Sequence, residues 1–108
     1  MDSHAELAQA LVRLEATLKS ADLWGFPSPP ASAYDSSEPF CIDTMELPQW
    51  LRYVFIPRLE ALIEASAPLP AKCDVAPAAE AWLQDASSSI RLTVVGAIAE
   101  VDRVITEA

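Results

Sequence analysis

Nucleophilic or acid–base catalysis needs a histidine, an activated cysteine or serine, or paired carboxylates in a cleft. In these 108 residues the supply is thin. The one histidine, His4, stands close to the start of the chain, where a helix end frays. Cys41 and Cys73 are too few and too far apart for a disulfide framework or a zinc pattern, and read as small buried hydrophobes. Gly25 and Gly96 each stand alone, so no glycine-rich loop is present to cradle a phosphate. No catalytic residue, metal centre or cofactor is expected, and the chain reads as a non-enzyme.

What remains is suited to recognition. Asp43 and Glu46 lie three apart just ahead of Leu47-Pro48. As carboxylates at a helix start they read first as caps on unbonded amides, second as a partner-binding pair, and third, with Cys41, as metal ligands. Arg58 follows Leu51 by seven and Val54 by four, which drops a guanidinium into an apolar helical stripe. Such a group either bridges to a carboxylate on another helix, with Glu80, Asp102 and Glu15 the candidates, or serves as an anion hook for a partner. Trp50, with Trp24, Phe40 and Tyr53, supplies either the underside of a packed segment or an exposed patch of the kind that dominates interfaces. Asp43, Glu46, Trp50, Tyr53 and Arg58 are therefore the candidate partner-binding residues.

The elements that must position them are helical. Ser3 and Glu6 form a capping-box pattern, after which Leu7, Leu11, Leu14 and Leu18 recur at steps of four and three, predicting a first helix to about Ser20 or Ala21. From Asp22 to Asp43 the prolines Pro27, Pro29, Pro30 and Pro39 forbid a regular helix, while Trp24, Phe26, Tyr34 and Phe40 offer anchors. The segment is expected to be an extended strap ordered by its aromatics. A second helix is expected from about Asp43 to Pro48 onward, with Leu47, Leu51, Val54, Phe55, Leu59, Leu62 and Ile63 on its apolar side and Pro57 kinking it near Tyr53 to Phe55. Pro77 opens a short third helix carrying Ala78, Ala81 and Trp82, and the serines Ser87 to Ser89 cap a fourth bearing Ile90, Val94, Ile98, Val101 and Ile105. The expected class is all-α: one domain over residues 1–108, built as a small antiparallel four-helix bundle with a long Pro/Ser/aromatic strap between helices one and two.

Charge narrows the function further. The chain has 16 acidic and 7 basic side chains, a net charge of −9. The cations are scattered singly, and no basic residue lies between Lys19 and Arg52, where Asp22, Asp35, Glu38, Asp43 and Glu46 fall. Such a balance repels phosphate backbones and steers a basic protein surface toward the strap. No apolar run approaches the roughly 20 residues that cross a bilayer, and no basic, apolar leader opens the chain. A soluble protein of the reducing cytoplasm, monomeric or weakly dimeric, is expected.

The run Pro39-Phe40-Cys41-Ile42-Asp43-Thr44-Met45, then Gln49-Trp50-Leu51 and Val54-Phe55-Ile56-Pro57-Arg58-Leu59, resembles the YqcC-like family of small gammaproteobacterial proteins. The likeness extends more weakly to the Trp24 region, Leu69-Pro70 and Val75-Ala76-Pro77. It implies a compact four-helix bundle. It also implies a genomic association with a tRNA pseudouridine synthase, TruC, encoded beside or fused with such proteins, and with a flavodoxin-like neighbour. The leading expectation is a non-catalytic interaction module for such a synthase; a small-molecule pocket under the strap and direct RNA binding are the alternatives.

Overall fold

In the computed structural model, which describes residues 2–108, every regular element is helical and no described residue lies in a strand. Helix α1 spans Ser3–Ser20, α2 Leu47–Trp50, α3 Ile56–Glu64, α4 Ala76–Trp82 and α5 Ser88–Thr106. A single π turn, Leu51–Phe55, fuses α2 and α3 into one rod, so the expected second helix is a composite. It begins at Leu47, with Pro48 in its first turn, later than the Asp43 end of the expected range.

The stripes read from periodicity are the core. Leu7, Leu11, Leu14 and Leu18 are buried along α1, and Val94, Ile98, Val101 and Ile105 along α5, the two helices packing on one another. Burying a side chain of this size contributes about 1.5–3 kcal/mol, so each position of the two stripes adds a substantial share of the hydrophobic stabilisation. Ile90, expected on the same stripe, is 37% exposed. Helix α4 carries Ala78, Ala81 and Trp82 as expected, but its buried residue is Ala79, with Leu83 buried just past its end; Ala78 and Trp82 are half-buried and Ala81 is exposed. A seven-residue alanine-rich helix has no stripe strong enough to set its own phase; contacts at its first turn set it.

Helix ends follow local chemistry. Asp2, one residue before the expected Ser3, caps α1 by accepting from the His4 amide at 3.2 Å. His4 itself donates from Nε2 to the Ala67 carbonyl at 2.6 Å, tying the start of α1 to the segment after α3. Ser87 caps α5 through the Ile90 amide. Helices α1 and α3 end alike: Asp22 and Ser66 take the left-handed conformation, φ 63° and 52°, and the next amide donates back to Leu18 and Leu62 at 2.9 Å.

The segment between α1 and α2 is less extended than its prolines suggested. It holds two short 3₁₀ turns, Ala31–Asp35 and Pro39–Cys41, because a proline's fixed φ suits the entry to a tight turn. Aromatic packing is joined by hydrogen bonds from distant residues. The Gln49 amide donates to the Pro27 carbonyl at 2.8 Å, the Thr44 hydroxyl to that of Ala33 at 2.7 Å, and Arg52 to that of Trp24 at 2.5 Å.

Candidate functional site

The distinctive stretch from Pro39 to Leu59 centres on the π turn. In a regular helix the Pro57 ring would collide with the Tyr53 carbonyl, and Pro57 has no N–H to give it. The wide turn resolves this by letting the Ile56 amide donate to Leu51, five residues back. One extra residue in the turn sets everything after it back by about 100°. That rotation decides the fate of Arg58. Phe55, Ile56 and Leu59 carry on the buried face that Leu51 starts, and Arg58 turns out to the surface. The expected bridge to Glu80, Asp102 or Glu15 does not form: the Arg58 side chain has no hydrogen bond or ion pair among the described residues. Glu15 pairs with Lys19 at 2.9 Å, and Asp102 is occupied elsewhere.

Arg58 lies at the rim of a cleft of about 270 Å³ lined also by Phe40, Trp50, Phe55, Lys72 and Asp74. Trp50, only 9% exposed, is the hub of its wall. Its ring stacks on Phe55 at 5.1 Å and meets Phe40 edge-on at 5.0 Å. Phe40 reaches it from a strained backbone. Both Phe40 and Cys41 are left-handed, φ 59° and 50°, a conformation that costs a bulky residue about 1–3 kcal/mol and persists only where surrounding packing enforces it. Of the alternatives for Trp50, the ring lies in the core, as the underside of the strap.

The other candidate residues are placed separately. Glu46 is the residue before α2; its amide donates to Gln49 Oε1 at 2.7 Å, and its own Oε2 accepts from Trp82 Nε1 at 3.0 Å. Asp43 caps no helix. It accepts a hydrogen bond from the Ser36 hydroxyl and closes the loop that contains the second 3₁₀ turn, Pro39–Cys41. Tyr53 is half-buried under the Arg52 guanidinium, which lies 5.1 Å from its ring centre and 4.7 Å from that of Trp24. Trp50 and Arg58 therefore meet at one cleft, whereas Asp43, Glu46 and Tyr53 serve other contacts. No group of three or more potential metal ligands occurs among the described residues.

Reasoning from sequence missed the role of Asp102, which lies on the buried side of α5 with 9% exposure. Its carboxylate accepts from the Val75 amide at 2.9 Å, the Ala76 amide at 2.8 Å and the Cys73 thiol at 3.1 Å. A helix cap is normally supplied by the preceding residue; here it comes from another helix, with the charge favoured by the dipole of α4. The one signal in the sequence was an acidic residue beside Val101 in an otherwise apolar stripe. Cys73 is accordingly more than a small hydrophobe: burial, followed by the neighbouring Asp102, pushes its thiol up to about 12. At neutral pH it is a protonated hydrogen-bond donor and a poor nucleophile.

Fold and site together define a small acidic all-helical protein with a cation-rimmed cleft beside its π turn. A family model described as tRNA pseudouridine synthase C matches residues 6–104. The chain belongs to that family, which includes YqcC of Escherichia coli, 38% identical over 77 residues that make up 71% of each chain. An uncharacterised protein of Haemophilus influenzae is 42% identical over 77 residues, 71% of this chain and 73% of that one. The solution NMR structure of E. coli YqcC superimposes with a TM-score of 0.83 at 31% identity, covering 99% of this chain and 91% of that chain. A tRNA pseudouridine synthase C of Pectobacterium carotovorum is 36% identical over 70 residues, 65% of this chain but only 19% of the synthase. No helix among the described residues is long and apolar enough to cross a membrane.

Proposed function

We propose that the chain is a non-catalytic interaction module that docks on a tRNA pseudouridine synthase and tunes its stability or its access to substrate. One observation carries this reading: a segment similar to this chain occupies about a fifth of a synthase polypeptide. Segments joined covalently in one protein and separate in another are fit to associate, because the linker only raises an effective concentration that separate chains replace by affinity. In this reading the molecule acts in the cytoplasm as one domain, residues 1–108, with its helices arranged as an antiparallel four-helix bundle. Its acidic strap, with Asp43 and Glu46, steers a basic RNA-handling surface, and Tyr53 and Arg58 complete the contact beside Trp50.

Calorimetric titration with the synthase encoded in the same genome tests the proposal. Binding that weakens between low and moderate salt is expected; the absence of heat and of co-elution under both conditions rejects it. Direct RNA binding is the reading that the charge of −9 opposes. A tight, salt-steep complex with tRNA in a gel shift would reverse that order.

A further inference from the structure

We infer that the cleft beside the π turn is a binding site for a singly charged carboxylate carried on an apolar body. The inference does not depend on the synthase. Among the seven basic residues, Lys19 and Arg103 pair with carboxylates, and Arg52 and Arg91 donate to backbone carbonyls. Only the side chains of Arg13, Arg58 and Lys72 have no hydrogen bond or ion pair among the described residues, and two of these three line the same cleft. In a chain of net charge −9, two uncommitted cations at one concavity are a local reversal of the prevailing field.

The cleft's wall selects the body of the ligand, and its rim the charge. Phe40, Trp50 and Phe55 line a volume of about 270 Å³, slightly below the range of drug-sized pockets and suited to one aryl or branched alkyl group. At the rim stand Arg58, Lys72 and the carboxylate of Asp74, which accepts no hydrogen bond among the described residues. Two cations there stand against the one carboxylate of Asp74, while the Asp102 charge behind the wall is taken up by two backbone amides and the Cys73 thiol. Such a rim suits a singly charged carboxylate better than a phosphate dianion, which Asp74 repels more strongly. The Cys73 thiol, also in the lining, is held protonated by burial and by its bond to Asp102 and adds no charge. Such a ligand has two sources: a free organic acid, or the apolar C-terminal residue of a protein chain with its carboxylate.

Amide-resolved NMR titration of the intact protein separates them. The probes are 3-phenylpropionate, its amide, phenyl phosphate, and an N-acetylated peptide ending in Phe with either a free or an amidated C-terminus. Shifts are expected at Phe40, the Trp50 indole and Asp74 for the acids and not for the amides. Arg58→Gln and Lys72→Gln should each weaken the acid about tenfold, the loss of one charge-assisted contact, while Asp74→Asn should admit phenyl phosphate. All three side chains are exposed and unbonded, so these variants keep the fold, as their unperturbed spectra would show. Binding of the peptide acid alone assigns the site to a chain terminus, and binding of 3-phenylpropionate alone to a small acid. The inference is overturned if neither acid moves cleft resonances, if the amides bind as well as the acids, or if both glutamine variants bind undiminished.

Discussion

Along α1 and α5 order comes from repetition: the same kind of side chain recurs every three or four residues, and each buried Leu, Val or Ile adds its share. Between Ala21 and Glu46 no stripe repeats. Order there comes from single contacts across long sequence separations, Arg52 to Trp24, Gln49 to Pro27, Trp82 to Glu46, and from one aromatic hub at Trp50. Redundant contacts share a loss, whereas unique contacts concentrate it. The strap region also holds two consecutive left-handed residues, Phe40 and Cys41, which packing must hold in place.

The largest test of this contrast is Trp50→Ala, which removes both ring contacts and leaves a void at the hub. A loss of about 3–5 kcal/mol is expected in urea unfolding. Hydrogen exchange should quicken through residues 27–45 while α1 and α5 keep their protection. A strap that stays protected in this variant would show that its hydrogen bonds suffice without the hub.

Asp102→Ala comes next, at about 3 kcal/mol, since it orphans a buried amide, a half-buried one and a thiol. The same cluster adds a pH signature. The folded chain holds the Cys73 proton up to about 12, against an ordinary 9.0. Above pH 9 only the unfolded chain sheds that proton, so stability from this group is full below pH 9 and declines as pH rises toward 12. Thermal melts from pH 8 to 11 should show this decline, and Cys73→Ser, which keeps a donor but does not titrate, should flatten it.

Smaller and opposite in sign are Asp22→Gly and Ser66→Gly. Both residues hold positive φ at a helix end, where glycine is free of strain, and each change should stabilise by about 0.5–1 kcal/mol in the same unfolding assay. Smallest is Arg58→Met. An exposed guanidinium without a protein partner should be replaced within about 0.5 kcal/mol, visible as a nearly unchanged melting temperature. A drop of several kcal/mol would place Arg58 in a bonded role and break the contrast between committed and free cations.

Periodicity alone, together with serine and proline at helix starts, determined α1, α5, the place of the aromatic segment and the absence of strands, because each rests on interactions within a few residues. Pro57 likewise marked the second helix as distorted. Which distortion it makes was beyond the sequence. A kink and a π turn relieve the same clash, and the choice falls to whichever phase buries Phe55, Ile56 and Leu59 against the rest of the core. From that choice followed the exposure of Arg58, which linear spacing had put inside. Asp102 was decided in the same way: its position marks it as a polar interruption of a stripe, but only the folding of α4 back along α5 brings the amides of Val75 and Ala76 within its reach, 27 and 26 residues away in the chain. Short-range patterns carry the helices; the bonds that fix their phase and expose the cleft join residues that meet only once the chain has closed on itself.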